Sequence, residues 1–296
     1  MTTWTFPLET PYVGCLSGVN MTILITGGTG FLGRSLLREC LNNDMDVVAL
    51  SHSEIRDKEL QLEHPEVKSY CADISTDAEI LDRIVEQNSV EYIVHCAAMK
   101  HIGICENNPT KAIEVNINGS RNIISVAKKN KVKNIVAVST DKAINPSCVY
   151  GSTKLLMEKV MLENGFSVIQ GVNFFFSSGS VLEIWHNCVK NKEPIKVNVN
   201  DTVRYFVSAS DVAKKILENL DTKSSYISLD SCYRVKLHNL SEAFCEYHNF
   251  YKIQDYVPIS AEKIVEEVPD GIRNIHEPDM AELEDMIHRH YKRGLI

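Results

Sequence analysis

Tyr150 and Lys154 stand four residues apart in Tyr150-Gly151-Ser152-Thr153-Lys154, at the start of a segment with a helical pattern. That spacing puts a phenol and an amine on one helix face, where both act on the same small volume. A free phenol ionises near ~10, and a cation held beside it favours the phenolate, so the pair makes a general base for an alcohol near neutral pH. Just upstream, Ser139-Thr140-Asp141-Lys142 follows the apolar run Asn134-Ile135-Val136-Ala137-Val138, which reads as a buried strand. Asp141 and Lys142 then sit at a strand end, an acid and an amine available for further proton transfers.

The elements that must position these groups begin near Thr22. Thr22-Ile23-Leu24-Ile25-Thr26 reads as a strand, Gly27-Gly28-Thr29-Gly30-Phe31-Leu32-Gly33 as a glycine-rich turn, and 31–42 as a helix. A helix N-terminus behind such a turn points backbone N–H groups at a pyrophosphate. The glycine spacing fits both G-x-x-G-x-x-G and G-x-G-x-x-G. Further strands are predicted at 46–50, 68–71, 92–96, 134–138 and 168–174, and helices at 77–87, 110–130 and 149–164. This alternation predicts an α/β fold, a Rossmann-like doubly wound parallel sheet with helices on both faces. Ligands of such sheets bind at the C-terminal strand ends. Gly27–Gly33, Ser51, Asp73, Ala97-Ala98 and Ser139–Lys142 all follow predicted strands, so they fall on one rim.

The expected division is a nucleotide-binding domain over 21–172, rejoined by 207–222, and a smaller C-terminal substrate-binding lobe from 173–206 and 223–296. Short elements at 179–191, 195–199, 204–207, 225–229 and 237–248 are assigned to the lobe, a helix at 209–220 to the main sheet, and a charged helical tail to 279–292. Residues 1–20 have neither a cationic start nor a long apolar core, so they read as an appendage rather than a signal peptide, with Met21 a possible alternative start.

The 296 residues carry a net charge of −8 and no basic run, which argues against nucleic acid as a partner. No apolar stretch approaches the ~20 residues of a membrane helix. The 9 cysteines are scattered, odd in number and without C-x-x-C, a pattern of reduced thiols in a cytosol rather than of disulfides or a zinc site. Cys148 reads as a packing residue, and His288-Arg289-His290 as solvated surface, so no metal and a cytoplasmic location are expected.

The second strand ends Ala49-Leu50-Ser51-His52-Ser53-Glu54, with Arg56 and Lys58 beyond. An acid at that end would bind the ribose 2′-hydroxyl of NAD; its absence at 51 and 52, with cations near, predicts NADP. Asp73 is positioned to receive the adenine amino group.

At this point the residues resemble a known family. Gly27–Gly33, Asp73-Ile74, Ala97-Ala98 and Tyr150-x-x-x-Lys154 look like an extended short-chain dehydrogenase/reductase. Cys96-Ala-Ala-Met-Lys100-His101, Glu106-Asn-Asn-Pro109, Asn116-Ile-Asn-Gly119, Ser139-Thr-Asp-Lys-Ala-Ile-Asn-Pro146 and Ser177-Ser-Gly-Ser-Val181 resemble its inverting UDP-N-acetylglucosamine 4,6-dehydratase branch. The likeness runs over about 21–215, and Ser-Thr-Asp-Lys-Ala is its most specific part.

The resemblance implies a bound NADP cycle on a UDP-sugar in a homo-oligomer, dimer or hexamer. Tyr150 would take the 4-OH proton as hydride leaves C4, and Lys154 would lower the Tyr150 pKa and bind ribose. Thr140 would bond O4, Lys142 would be the base at C5, and Asp141 would protonate the departing 6-OH. Gly27, Gly28, Thr29, Gly30, Phe31, Leu32, Gly33, Ser51, His52, Ser53, Arg56, Asp73, Ile74, Ala97 and Ala98 would hold the cofactor. Lys100, Asn173, Arg204 and Arg273 would hold the substrate, the two arginines on its diphosphate. The chain departs from the branch at Gln170, where the family has arginine, at Val172, at His52, and in its C-terminal region. A UDP-hexose 4-epimerase is the same-fold alternative, against which Asp141-Lys142 argues. A non-catalytic NADP-sensing protein would be marked by loss of Tyr150 or Lys154, and both are present.

Overall fold

The computed structural model describes residues 21–177, 179–198, 202–256 and 268–292; the expected appendage 1–20 lies outside them. In chain order the first half runs β1 (Thr22–Thr26), α1 (Phe31–Asn42), β2 (Asp46–Ser51), α2 (Glu54–Glu63), β3 (Lys68–Cys71), α3 (Ala78–Gln87), β4 (Tyr92–His95), α4 (Ile102–Asn107) and α5 (Pro109–Ile113). A π-helical segment, Glu114–Gly119, leads into α6 (Ser120–Lys129), β5 (Asn134–Thr140), a single 3-10 turn at Asp141–Ala143, α7 (Val149–Glu163) and β6 (Ser167–Gly171). The rest is β7 (Asn173–Phe174), α8 (Val181–Asn191), β8 (Ile195–Asn198), β9 (Val203–Val207), α9 (Ala209–Glu218), β10 (Tyr226–Ile227), β11 (Ser231–Lys236), α10 (Leu237–His248), β12 (Ile253–Tyr256), β13 (Asn274–His276) and α11 (Met280–Lys292).

The main sheet has 7 strands in the order β10-β6-β5-β4-β1-β2-β3, every neighbouring pair parallel. The order reverses direction at β1, so the C-terminal ends of β1 and β4 border the crevice where such sheets take ligands. Alternation along β1 explains why both faces are covered. Ile23 and Ile25 join Leu36 and Leu37 of α1 and Val212, Ala213 and Ile216 of α9, whereas Leu24 joins Leu81 and Ile84 of α3, Ile123 of α6 and Met157 and Met161 of α7. A third cluster around Trp185, Phe206, Phe244 and Leu283 forms the core of the smaller lobe. Its sheet, β13-β11-β9-β7, joins β7 to β9 in parallel.

Four details depart from the pattern read in the sequence. The apolar run 168–174 divides at Val172, β6 staying in the main sheet while β7 enters the lobe sheet. The segment 225–229, assigned to the lobe, supplies β10, which pairs with β6 through Tyr226↔Val168 and Ile227↔Ile169 and so extends the main sheet. The helix expected over 110–130 carries the π-helical segment in its first half. The polar stretch after Ser51 forms a further helix, α2, whose interior face consists of Asp57 and Leu60.

Candidate active site

The glycine turn is closed against its neighbours on every side. Gly27 has φ 71°, and a Cβ there would lie 2.9 Å from Ala97 N; at Gly28 it would lie 2.9 Å from Ala49 Cβ, and at Gly33 2.2 Å from Gly27 O. Gly30 N–H donates to Gly27 O at 2.9 Å, and α1 starts with neither a side-chain cap nor an acid in its first turn. Its first N–H groups are therefore left to a ligand anion. The cradle fits a dinucleotide pyrophosphate, with Thr29, Phe31 and Leu32 completing the turn. Beyond it, Ser53 caps α2 by accepting from Arg56 N, and His52 and Arg56 are exposed on the rim. Asp73 Oδ1 accepts from Ser75 N at 2.8 Å and Ser75 Oγ at 2.6 Å, and Ile74 packs against Gly119.

A directional hydrogen-bond chain runs beneath the rim. Ala97 N–H donates to Thr26 Oγ1 at 3.3 Å, Thr26 Oγ1 lies 2.7 Å from His95 Nδ1, His95 Nε2 lies 2.9 Å from Ser120 Oγ, and Ser120 Oγ–H donates to Asn116 O at 2.8 Å. Burial, with the Lys154 charge second, pushes His95 down to about 3. The imidazole is therefore neutral. Ser120 spends its proton on Asn116, so Nε2 carries the ring hydrogen and Nδ1 accepts from Thr26.

Asn116 sits inside the π-helical segment and is 1% exposed. Its Oδ1 accepts from Met99 N at 2.8 Å, and its Nδ2 donates to Met99 O and to Thr153 Oγ1, each at 3.0 Å. One side chain thus ties the loop bearing Lys100 to the helix bearing Tyr150. Asn116→Ala is expected to lower unfolding stability by about 2–4 kcal/mol, because it strands buried partners. An unchanged urea midpoint would show that it is no brace.

The candidate proton-transfer groups converge at the end of β5. Asp141, with 1% of its side chain exposed, accepts from Thr140 Oγ1 at 2.8 Å and from Lys142 Nζ at 3.1 Å. Lys142 Nζ also donates to Asn173 Oδ1 at 3.3 Å, and Asn173 Nδ2 to Tyr205 O at 2.9 Å. α7 presses on this turn at Gly151, where a Cβ would lie 2.2 Å from Lys142 O. Only glycine lets α7 bring Tyr150 so close to Asp141 and Lys142. Cys148 caps α7, its sulfur accepting from Gly151 N at 3.4 Å.

The expected lowering of the Tyr150 pKa is not what the protein alone does. Burial raises it, the Asp141 charge adds to the rise, and only the Thr140 hydroxyl opposes. Lys154, 3% exposed, donates to Val138 O at 2.6 Å. Burial pulls its own pKa down to about 8, against the charge of Glu158. Glu158 is fully buried and takes two contacts from Gln170 Nε2, at 3.0 and 3.1 Å, and one from Tyr226 OH at 3.0 Å. The neutral Gln170 amide thus meets Glu158, whose charge in turn acts on Lys154.

Of the expected substrate residues, Asn173 touches Lys142, and Lys100 is exposed on the loop that Asn116 holds. Arg204 is half-buried on β9, one residue before the Tyr205 carbonyl that holds Asn173, and its Nη1 donates to Val203 O at 3.0 Å. Arg273 is not brought to it. Arg204 pairs with Val235 of β11, while Asn274 lies against Ser231 at the other end, roughly 13 Å along the strand. The two arginines are thus offset along β11 and lie on its opposite flanks. Gly151 and Asn116 stood in recognised motifs, but their positioning roles needed the third dimension.

The polysaccharide biosynthesis protein family matches residues 23–273. UDP-glucose 4-epimerase of Rickettsia bellii is 31% identical over 215 residues, 67% of this chain and 62% of that protein's length. The inverting UDP-N-acetylglucosamine 4,6-dehydratase of Campylobacter jejuni is 30% identical over 235 residues, 75% of this chain and 70% of that enzyme. The X-ray structure of Pen from Bacillus thuringiensis superposes with a TM-score of 0.81 at 26% identity, over 91% of this chain and 98% of that one. With the glycine cradle, the doubly wound sheet and Tyr150 and Lys154 on one helix, these likenesses make the chain a member of the polysaccharide biosynthesis protein family, among the extended short-chain dehydrogenases/reductases.

Proposed function

We propose that this chain is a sugar-nucleotide 4,6-dehydratase that inverts C5 of UDP-N-acetylglucosamine, using a bound nicotinamide dinucleotide with some preference for NADP. The observation that carries the reading is the contact of Asp141, Lys142 and Asn173 at the end of β5, pressed against Tyr150 by Gly151. A 4-epimerase needs proton transfer at O4 only. A dehydratase also needs a base at C5 and an acid at O6, and this turn holds two proton-transfer groups beyond Tyr150. Both named relatives act on UDP-sugars by their names, and Arg204 beside Asn173 suits a diphosphate. The preference for NADP rests on the absence of an acid at Ser51 and His52 and on Arg56 and Lys58 nearby.

The dinucleotide, when bound, would supply a reversible redox partner for the sugar, holding the hydride lost from C4 until C6 regains it after water has left. The rest falls to side chains. Tyr150 takes the proton from O4, with Thr140 bonding the same oxygen. The 4-ketone that results acidifies C5, where Lys142 removes a proton. Asp141 gives a proton to O6 as the C6–O6 bond breaks, and water leaves. Inversion requires that C5 regain its proton on the face opposite Lys142, from a different donor.

The test is NMR of the product formed from UDP-N-acetylglucosamine in D₂O. A 4-keto-6-deoxy sugar of L configuration with deuterium at C5 is expected. A C4 epimer with its 6-OH intact would replace this reading with the 4-epimerase that the rickettsial relative suggests. A D-configured product or protium retained at C5 would remove the inversion.

A further inference from the structure

The interior face of α2 consists of two residues, Asp57 and Leu60. A leucine there is ordinary, but a carboxylate only 6% exposed is not. Asp57 Oδ1 accepts the Ser51 hydroxyl at 3.0 Å and the Ser69 hydroxyl at 2.7 Å, while Asp57 Oδ2 makes no full hydrogen bond among the described residues and has only the weakly donating Cys71 thiol beside the carboxylate. A carboxylate oxygen so weakly met in the interior carries a desolvation cost that packing does not explain. Its location does. Ser51 ends β2 beside the glycine turn, where Gly28 N donates to Leu50 O at 3.0 Å. In this fold the end of the second strand faces the adenosine ribose and distinguishes a 2′-hydroxyl from a 2′-phosphate.

We infer that Asp57 is a positioning residue for cofactor selectivity: acting through Ser51, it holds down the preference for a 2′-phosphate, so the chain accepts both NAD and NADP. This rests on the dinucleotide reading proposed above. Ser51 owns one hydroxyl proton. The protein offers it two acceptors, Asp57 Oδ1 at 3.0 Å and Ser53 O at 3.2 Å, and Ser53 N donates back to Ser51 Oγ at 3.1 Å. What the oxygen retains for a ligand is a lone pair. A ribose 2′-hydroxyl donates to a lone pair; a phosphate dianion has no proton to give, and it also meets the Asp57 charge behind the serine. His52, Arg56 and Lys58 attract a phosphate, but they are exposed, and solvent screens them. The Asp57 charge is buried and is screened far less.

Calorimetric titration of nucleotide-stripped protein with NADH and with NADPH tests this. The parent chain is expected to bind the two within about 10-fold of each other. Asp57→Asn keeps an acceptor for both serine hydroxyls and removes the charge; it is expected to tighten NADPH by about 10–30-fold and to move NADH by less than about 3-fold. Ser51→Ala removes the lone pair and is expected to weaken NADH more than NADPH. The ratio of the two affinities is insensitive to a misfolded fraction, which lowers both occupancies alike. An unchanged ratio in Asp57→Asn, or a parent chain that favours NADPH by more than about 10³-fold, would overturn the inference. Failure of the parent chain to bind either nucleotide would overturn the dinucleotide reading and this inference with it.

Discussion

Lys142→Ala is expected to slow formation of the dehydrated sugar by ~10²–10⁴-fold, the usual worth of a positioned acid or base. The species that accumulates should be the 4-keto sugar, lighter than substrate by two hydrogens rather than by one water. Lys142 has 11% of its side chain exposed and is held at its head by Asp141 and Asn173, so its removal empties one position at the end of β5 and leaves Tyr150 and Thr140 in place. Asp141 keeps the Thr140 hydroxyl at 2.8 Å. Asp141→Asn separates the two roles. The amide retains the Thr140 contact but cannot give a proton to O6, so C5 should exchange with solvent deuterium while the 6-OH stays. In Lys142→Ala, exchange at C5 should be lost along with dehydration. Mass spectrometry of the sugar from both variants in D₂O reads the difference. Dehydration at the parental rate by Lys142→Ala would exclude the amine as the C5 base.

The sequence is most legible where one periodicity runs between clear stops. Ile23 to Thr26 ends at Gly27, and the apolar positions Leu32, Leu36, Leu37 and Cys40 repeat at helical spacing, so β1 and α1 follow directly. Where two structures share one pattern, the reading blurs. Residues 168–174 form one apolar run, but a sheet-to-sheet transition at Val172 is a tertiary event that hydrophobicity does not encode. The π-helical segment leaves the helical pattern of 110–130 intact, and its reason is visible only once Asn116 is seen spanning Met99 and Thr153. Two residues of β10 are too few for any period, and their place depends on pairing with β6. Asp57 was hidden differently: a polar stretch reads as surface, and nothing in it announces that one carboxylate turns inward. The Tyr150–Lys154 spacing named the groups, but the direction in which burial moves each pKa required their surroundings.

Those surroundings set the remaining large effect. Tyr150→Phe is expected to lower oxidation at C4 by ~10²–10⁴-fold while leaving nucleotide-sugar affinity close to parental, since the proposed O4 proton transfer falls to the phenol and the substitution leaves the cradle and Arg204 untouched. Loss of one hydroxyl contact costs about 1 kcal/mol of stability, too little to explain the lost activity by unfolding. Turnover by Tyr150→Phe near the parental rate would remove Tyr150 as the O4 base. The pH dependence follows with a definite sign. Burial raises the Tyr150 pKa, so the protein alone keeps the phenol protonated at neutral pH, and forming the phenolate needs a positive charge beside it. Lys154 supplies that charge only below its own pKa, which burial pulls down from 10.5 to about 8. Activity of the parent chain is therefore expected to fall as pH rises through about 8, rather than to climb with tyrosine ionisation. Stability moves the other way. Between about 8 and 10.5 the unfolded chain binds the Lys154 proton and the folded chain does not, so this group makes folding more favourable as pH rises. A rate that falls over the window in which the Lys154 contribution to stability grows cannot come from unfolding at that residue. A parallel pH series on Lys154→Met, which carries no charge to lose, should be flat over the same window, and a decline of the same shape in that variant would assign the fall to another group.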